Sequence, residues 1–169
     1  MNIPVIETER LRLRELRADD FEPYARMMAD PDVTRYLGDG KPLSRADAWR
    51  QLAMILGHWE LRGFGLWAVE EKASGELLGR IGCYDPEGWP AFEIGYTLAR
   101  HAWGKGYASE GAAAALTYAR IVLGKREITS VIKTGNRASM NVATKLGATW
   151  SETVPFYEST AEIYRYPIV

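Results

Sequence analysis

The middle of the chain alternates between hydrophobic and polar positions, as a half-buried β-strand requires. The clearest alternation runs over Glu93–Leu98. One face of this predicted strand carries Phe92, Ile94, Tyr96 and Leu98. The opposite face carries Glu93, Gly95 and Thr97. Two earlier runs, Leu66–Glu71 and Leu77–Tyr84, predict strands joined by a hairpin connection over residues 72–75.

Helical patterns with capping residues flank these strands. The first predicted helix starts at Asp19 or Asp20 and ends before Pro31, and the second runs from Ser44 to Gly63. Two more helices are predicted over residues 107–122 and between Asn136 and Gly147. Further strands are predicted over residues 11–16, 128–132, 149–157 and 161–168. These elements predict a single α/β (α+β) domain over residues 1–169, with a mixed, mostly antiparallel twisted sheet of about six to seven strands flanked by about four helices.

The most specific signal in the chain is a glycine-rich turn, Trp103-Gly104-Lys105-Gly106-Tyr107-Ala108, between the central strand and a long Ala-rich helix. Two glycines one residue apart allow a tight turn whose backbone N–H groups point toward the positive end of the following helix. Such a turn is suited to hold a phosphate group. By itself, the same pattern equally suits a closely packed connection from strand to helix.

Together with its surroundings, this turn resembles the GCN5-related N-acetyltransferase (GNAT) superfamily, and most closely its ribosomal-protein N-terminal acetyltransferase branch. Four segments carry the resemblance: an opening Glu-Arg-Leu-Arg-Leu-Arg strand (9–14), the Glu-Ile-Gly-Tyr strand (93–96), the glycine-rich turn (103–108) and an Asn…Ser…Leu-Gly helix (136–147). Their order also matches, and the resemblance covers nearly the whole chain. It implies an N-acetyltransferase that uses acetyl-CoA as co-substrate.

The resemblance implies that the turn binds the pyrophosphate of acetyl-CoA, mostly through main-chain amides. His101 stands where the family usually has Gln or Arg, a departure that leaves a backbone cradle intact. Gly95 is predicted as a bulge or distortion where the sheet opens for the pantetheine arm. The residues assigned to the cofactor are Thr97, Leu98, Ala99, Trp103, Gly104, Lys105, Gly106, Tyr107, Ala108, Asn136 and Asn141.

Two residues are candidates for the proton transfers that acetylation of an amine requires. Glu93 is the predicted base, because family members often carry a carboxylate on this strand that acts directly or through water; the alternative is a solvated glutamate on a sheet face. Many members use a tyrosine as general acid, but the corresponding position here is Ala143. In the ribosomal-protein branch that the chain resembles, a serine three residues after the asparagine that opens this helix is suggested as the acid, which implies Ser139 here. Its hydroxyl can equally serve its own helix backbone. Direct transfer needs no covalent enzyme intermediate.

Composition and charge exclude several other classes of function. The 169 residues are 47% hydrophobic with a net charge of −1, which gives no general attraction to nucleic acid. No apolar run is long enough to span a membrane and no leader pattern is present, so we expect a cytoplasmic protein. Cys83 is the only cysteine and is expected to be buried. His58 and His101 lack ligand spacing, so no metal site is expected.

The identity of the acceptor is open at the level of the sequence. A peptide N-terminus and a small-molecule amine both fit, as do a monomer and a homodimer. A non-catalytic acyl-CoA-binding or regulatory module is the alternative function, whereas a nucleotide-binding oxidoreductase is disfavoured because its glycine fingerprint follows an early strand of a parallel βαβ unit. The aromatic residues near the expected acceptor groove, chosen by location only, are Tyr36, Trp49, Trp67, Trp89, Phe156 and Tyr157.

Overall fold

An eight-stranded sheet forms the centre of the fold in a computed structural model that describes residues 2–168. Its strands lie in the order β1-β2-β3-β4-β5-β6-β8-β7. Neighbouring strands run antiparallel, except that β5 and β6 run parallel. The strands are β1 (Ile6–Glu7), β2 (Leu11–Arg14), β3 (Leu66–Glu71), β4 (Leu77–Tyr84), β5 (Glu93–Leu98), β6 (Thr129–Lys133), β7 (Thr149–Phe156) and β8 (Ser159–Arg165).

Five α-helices within residues 2–168 accompany this sheet. They are α1 (Phe21–Met28), α2 (Pro31–Thr34), α3 (Arg45–Arg62), α4 (Tyr107–Ile121) and α5 (Arg137–Lys145). On one face α4 packs against β4 and β5, and on the other α1 packs against β4 and α3. None of the helices in the described part of the chain combines the length and apolarity that crossing a bilayer demands.

The predicted mixed, mostly antiparallel sheet is confirmed, but the predicted numbers of strands and helices are too low. The strand β1 has only two residues and pairs Ile6 with Leu13, so it is too short to show a periodic pattern. The helix α2 begins at Pro31, where the sequence analysis expects only an end to α1. Proline is favoured at the first helical position, and the Asp30 carboxylate caps α2 by accepting the Asp32 N–H at 2.9 Å.

Several local predictions agree closely with the structure. The Ser44 hydroxyl accepts the Asp47 N–H at 3.1 Å and caps α3, which ends at Gly63 with a φ of 73°. Cys83 is buried as expected, and burial raises the pKa of its thiol to about 12. A thiol with such a pKa stays protonated at neutral pH, so Cys83 has the properties of a core residue and not of a nucleophile.

The parallel strands β5 and β6 pair at one position, Glu93 with Thr129, and then diverge. In a continued parallel ladder, the next rung would join the Val131 N–H to the Ile94 carbonyl. Instead, the Val131 N–H donates to the Glu93 carboxylate at 2.9 Å. The Ile94 carbonyl accepts the Ser130 hydroxyl at 2.8 Å. Side chains therefore replace this rung of the ladder and hold a gap open in the middle of the sheet.

The sheet opens beside Gly95 as predicted, but the bulge or distortion predicted at Gly95 itself is absent. The strands β4 and β5 pair in unbroken register there, with Gly82 opposite Gly95, and the sheet opens along the other edge of β5. A Cβ at this position would lie 3.4 Å from Oε1 of Glu93, in ordinary van der Waals contact with the buried carboxylate.

The close approach of β3 and β4 predicts a strong sensitivity to substitution at Gly82. A Cβ there would lie 2.3 Å from the Gly65 carbonyl oxygen, so backbone must move to admit it. We expect Gly82→Ala to lower the free energy of unfolding by about 2 kcal/mol or more. Chemical denaturation measures this change.

The matched control for that substitution is Gly57→Ala in α3, where a Cβ would meet nothing within 4 Å. Since alanine is the better helix former, this variant should gain roughly 0.5–1 kcal/mol. Equal stabilities of the two variants would contradict the packing described for β3 and β4.

Candidate functional site

Two adjoining pockets open from the gap between β5 and β6. The helix cleft extends from this gap to the beginning of α4 and holds about 1350 Å³, part of it open solvent. The inner pocket lies beside Glu93 and Arg80 and holds about 920 Å³ on the same measure. A molecule that fills the cleft can reach the inner pocket, because both are lined by Tyr36, Leu37, Tyr96, Thr97, Asn136 and Ser139.

The glycine-rich turn forms one end of the helix cleft. Gly104 and Gly106 have φ angles of 72° and 83°, a backbone conformation that residues other than glycine rarely adopt. The helix α4 then begins at Tyr107 with no side-chain cap. The first N–H groups of a helix lack intrahelical partners, and Tyr107, Ala108 and Ser109 line the cleft. These free donors and the positive end of the helix favour an anion at this place.

The outer side of the turn is held by Arg10, which the sequence analysis did not identify as part of the site. Its Nη1 atom donates to the Lys105 carbonyl at 2.8 Å, and its Nε atom donates to the Glu110 carboxylate at 2.7 Å. The guanidinium also lies 4.4 Å from the ring centroid of Tyr107, whose hydroxyl donates to Glu71. Arg10 stands 95 residues before Lys105, so no local pattern could reveal this contact.

Most of the residues predicted to bind the cofactor line the helix cleft, namely Thr97, Leu98, Trp103, Gly104, Gly106, Tyr107, Ala108 and Asn136. Three others do not line it: Ala99, Lys105 and Asn141. The Ala99 N–H donates to the Leu78 carbonyl at 2.8 Å, and the other two residues are exposed. Tyr96 lines the cleft and is a residue that the sequence analysis did not assign to the cofactor.

Glu93 lies at the meeting point of the gap and the inner pocket. Its side chain is buried, which excludes the alternative of a solvated glutamate on a sheet face. Burial raises the pKa of this carboxyl to about 7, although the Val131 N–H and the Arg80 guanidinium partly oppose the rise. At neutral pH such a group can both accept and donate a proton, as a general base must.

Ser139 lies where the two pockets meet, near the beginning of α5. Its N–H donates to the Asn136 side chain at 3.3 Å, which confirms Asn136 as the cap of α5. Its carbonyl accepts the Tyr96 hydroxyl at 2.8 Å. Burial raises the pKa of Tyr96 well above its ordinary value, so this tyrosine is a weak acid.

An aromatic wall closes the inner pocket. Edge-to-face contacts join Tyr84 to Trp89 at 5.0 Å and Trp89 to Phe156 at 5.3 Å between ring centroids. Two of the aromatic candidates from the sequence lie elsewhere. Trp67 is buried on the α4 side of the sheet, and Trp49 is exposed on α3. The candidates that do line the inner pocket are Tyr36, Trp89, Phe156 and Tyr157.

Comparisons with known proteins agree with this geometry. A family model described as an acetyltransferase (GNAT) domain matches residues 10–149. The chain is 32% identical over 147 residues to the uncharacterized N-acetyltransferase YoaA of Bacillus subtilis, covering 85% of this chain and 82% of that protein. An acetyltransferase from Agrobacterium tumefaciens is 32% identical, with a TM-score of 0.87 and coverage of 98% of this chain and 95% of that one.

The solved structures also include RimL, a ribosomal L7/L12 alpha-N-protein acetyltransferase in complex with coenzyme A. It aligns with a TM-score of 0.80 over 98% of both chains, but with only 17% sequence identity. At this identity, the likeness shows a shared fold and carries no conclusion about the acceptor.

The raised pKa of Glu93 makes the stability of the fold depend on pH. Because the folded-state pKa of about 7 lies above the ordinary value of 4.5, the folded protein binds this proton more tightly than the unfolded chain does. The resulting contribution is fully present below about pH 4.5 and is lost as the pH rises through about 7. Glutamine is neutral at every pH, so the Glu93→Gln variant does not lose stability in this way. At pH 8 it should exceed the parent in free energy of unfolding by on the order of 3 kcal/mol.

Chemical denaturation at pH 4 and pH 8 tests this expectation, with nearly equal stabilities of parent and variant expected at the lower pH. Glu60→Gln removes the same charge from the exposed face of α3 and should leave the pH dependence unchanged. Parent and Glu93→Gln proteins of equal stability at pH 8 would show that the buried carboxyl has an ordinary pKa.

Proposed function

Because the chain belongs to the GNAT acetyltransferase family and is an acetyltransferase, we propose that it moves the acetyl group of acetyl-CoA directly to a primary amine. The observation that carries this proposal is the connection between the two pockets. An anion cradle at the beginning of α4 and a buried carboxyl with a pKa of about 7 face one continuous space. This arrangement suits a long phosphorylated donor that meets an amine beside Glu93.

The described residues fit acetyl-CoA at both ends of the helix cleft. The free N–H groups at the beginning of α4 suit its pyrophosphate. Along the gap, the edge of β5 has no partner strand beyond Glu93 among residues 2–168, so an extended amide-containing arm can pair with it as an added strand. When bound, acetyl-CoA supplies a thioester whose carbon–sulfur bond breaks as the amine nitrogen bonds to the acetyl carbon.

Glu93 removes the proton that the amine must lose, directly or through one water. Burial gives its carboxylate the basicity that a general base needs near neutral pH. Ser139 lies where the two pockets meet and donates a proton to the departing sulfur in this proposal. Its own N–H and carbonyl are engaged with Asn136 and Tyr96, which fixes its position.

The acceptor is a small-molecule amine or a peptide N-terminus, the latter being the acceptor implied by the ribosomal-protein branch that the sequence resembles. A non-catalytic acyl-CoA-binding module is the alternative, because the family's usual tyrosine is replaced by Ala143. The cytoplasmic location and the monomeric or homodimeric state stay predictions.

The Gly106→Val variant tests whether the glycine-rich turn binds the phosphates of coenzyme A. Valine there would need a φ of 83° and would place its Cβ 3.3 Å from Nη2 of Arg10. We expect coenzyme A to raise the melting temperature of the parent and to lose this effect in Gly106→Val, whereas NADH and ATP raise neither. Gly124→Val imposes similar strain at a φ of 63° beyond the end of α4, in open space, and should keep the shift. An equal shift in both variants would exclude the turn as the phosphate site.

Glu93→Gln tests the base. In the parent, kcat/KM should rise with pH through about 7 as Glu93 loses its proton. The variant should bind coenzyme A normally but turn over on the order of 100-fold more slowly at pH 8. The difference should shrink below pH 6, where Glu93 of the parent is protonated.

Coenzyme A release in the presence of amines and short peptides measures that rate. Ser139→Ala is the paired variant for the acid, and Glu60→Gln controls for charge. Coenzyme A binding without turnover on any acceptor would favour the binding-module alternative. A Glu93→Gln variant with the pH profile of the parent would remove Glu93 from the chemistry.

A further inference from the structure

An arginine whose Nε atom lacks a hydrogen-bond partner in the described part of the chain lines the inner pocket. Arg80 stands on β4 opposite Thr97 of β5, and it lines the inner pocket but not the helix cleft. Its Nε atom is buried and has no hydrogen-bond partner within residues 2–168. The positive charge of Arg80 lowers the pKa of Glu93 through space, with no hydrogen bond between the two side chains. Leaving a buried charged donor unpaired costs free energy, so this arrangement needs an explanation.

The same fold contains an arginine with a purely structural role for comparison. Arg14 on β2 is buried, and its guanidinium donates to both Asp20 carboxylate oxygens at 2.8 and 2.9 Å. A third hydrogen bond joins its Nε atom to Glu70 at 2.6 Å. Arg80 makes no comparable set of contacts in the described part of the chain. Its Nε donor is therefore available to a molecule that enters the inner pocket.

The other charges of the inner pocket also favour an anion. Its charged lining residues are Arg80, Lys133 and Glu93. The Lys133 ammonium donates to the Gly38 carbonyl at 3.3 Å, which leaves its charge without an acidic partner there. Because the pKa of Glu93 lies near 7, its carboxyl cancels only part of the two positive charges at neutral pH. An acceptor with an anionic group is therefore favoured over a polycationic one.

We propose that Arg80 binds a carboxylate of the acceptor, so that the substrates of this site are small primary amines that also carry a carboxylate, with amino acids as the simplest members. This inference rests on the proposed acetyl transfer to an amine. A planar guanidinium matches the two oxygens of a carboxylate better than it matches any neutral group. Glu93 and Arg80 line the same pocket, so the amine end lies at the former and the carboxylate at the latter.

The aromatic wall indicates which amino acids to test first. Tyr84, Trp89 and Phe156 supply apolar surface beside the two polar groups. An apolar or aromatic side chain of the substrate can pack against these rings. Phenylalanine, its amide and phenethylamine therefore form a series that keeps the primary amine and the ring in place while the carboxylate is replaced or removed.

The experiment measures kcat/KM of the parent and of Arg80 variants for this series at pH 8.5. The amine of the amide is less basic than that of the acid, so more of it is unprotonated and reactive at this pH. This difference favours the amide and therefore works against the proposed preference for the acid. We expect the parent to prefer the acid over the amide. Arg80→Gln should lower kcat/KM for the acid by on the order of 10- to 100-fold, mainly through KM, and change it little for the amide.

Two further variants separate the role of the guanidinium from effects on folding or on total charge. Arg80→Lys keeps the charge and should retain part of the preference for the acid. Arg26→Gln removes an exposed arginine from α1 and should leave the preference unchanged. Arg80 also lowers the pKa of Glu93, so replacing Arg80 changes the basicity of Glu93 equally for every acceptor. This change cancels in the ratio of kcat/KM for the acid to kcat/KM for the amide.

A binding measurement makes the outcome independent of turnover. With coenzyme A present, N-acetylphenylalanine should stabilise the parent against heat more than its amide does, and Arg80→Gln should abolish this difference. Equal kinetics for acid and amide, unchanged in Arg80→Gln, would overturn the inference and leave acetyl transfer intact. Coenzyme A binding without transfer to any amine would overturn the proposed function. The inference would then fall too, unless the acetylated acid binds in an Arg80-dependent way.

Discussion

The missing rung between β5 and β6 is the constraint on which both pockets depend. A buried backbone donor or acceptor without a partner costs about 1–3 kcal/mol, so two strands cannot simply separate inside a sheet. Here, the Glu93 carboxylate accepts a hydrogen bond from the Val131 N–H, and the Ser130 hydroxyl donates one to the Ile94 carbonyl. The gap is therefore stable before any ligand enters. Beyond it, the edge of β5 is available to an extended ligand.

The residue that replaces the missing rung is also the one whose pKa is shifted toward neutrality. Glu93 is buried because it substitutes for a strand, and burial raises its pKa to about 7. The Val131 N–H and Arg80 oppose that rise, so the carboxyl remains able to change its protonation state near neutral pH. The position of this carboxyl and its raised pKa therefore have the same physical origin, which is burial beside the gap. The positive charge of Arg80 is only partly balanced within the inner pocket, because Glu93 is the acidic residue among those that line it.

The glycine-rich turn depends on contacts from outside the helix cleft. The amide donors of the turn face the cleft only if the chain around Gly106 keeps its left-handed conformation. Arg10 fixes that conformation by binding the Lys105 carbonyl and by pairing with Glu110 in the first turn of α4. Arg10, in the connection between β1 and β2, thus supports the glycine-rich turn without lining the helix cleft.

The sequence by itself determined the features that depend on neighbours within a few positions: the alternation of β5, the cap at Ser44, the left-handed end at Gly63 and the turn around Gly106. Strand period and caps are local, so they can be read from the order of residues. Only the tertiary structure decided which partner each group has. Arg10 meets Lys105 across 95 positions, and the gap beside β5 exists because a crossover places β6 there. The pKa of Glu93 follows from burial, and burial is set by packing between elements distant in sequence.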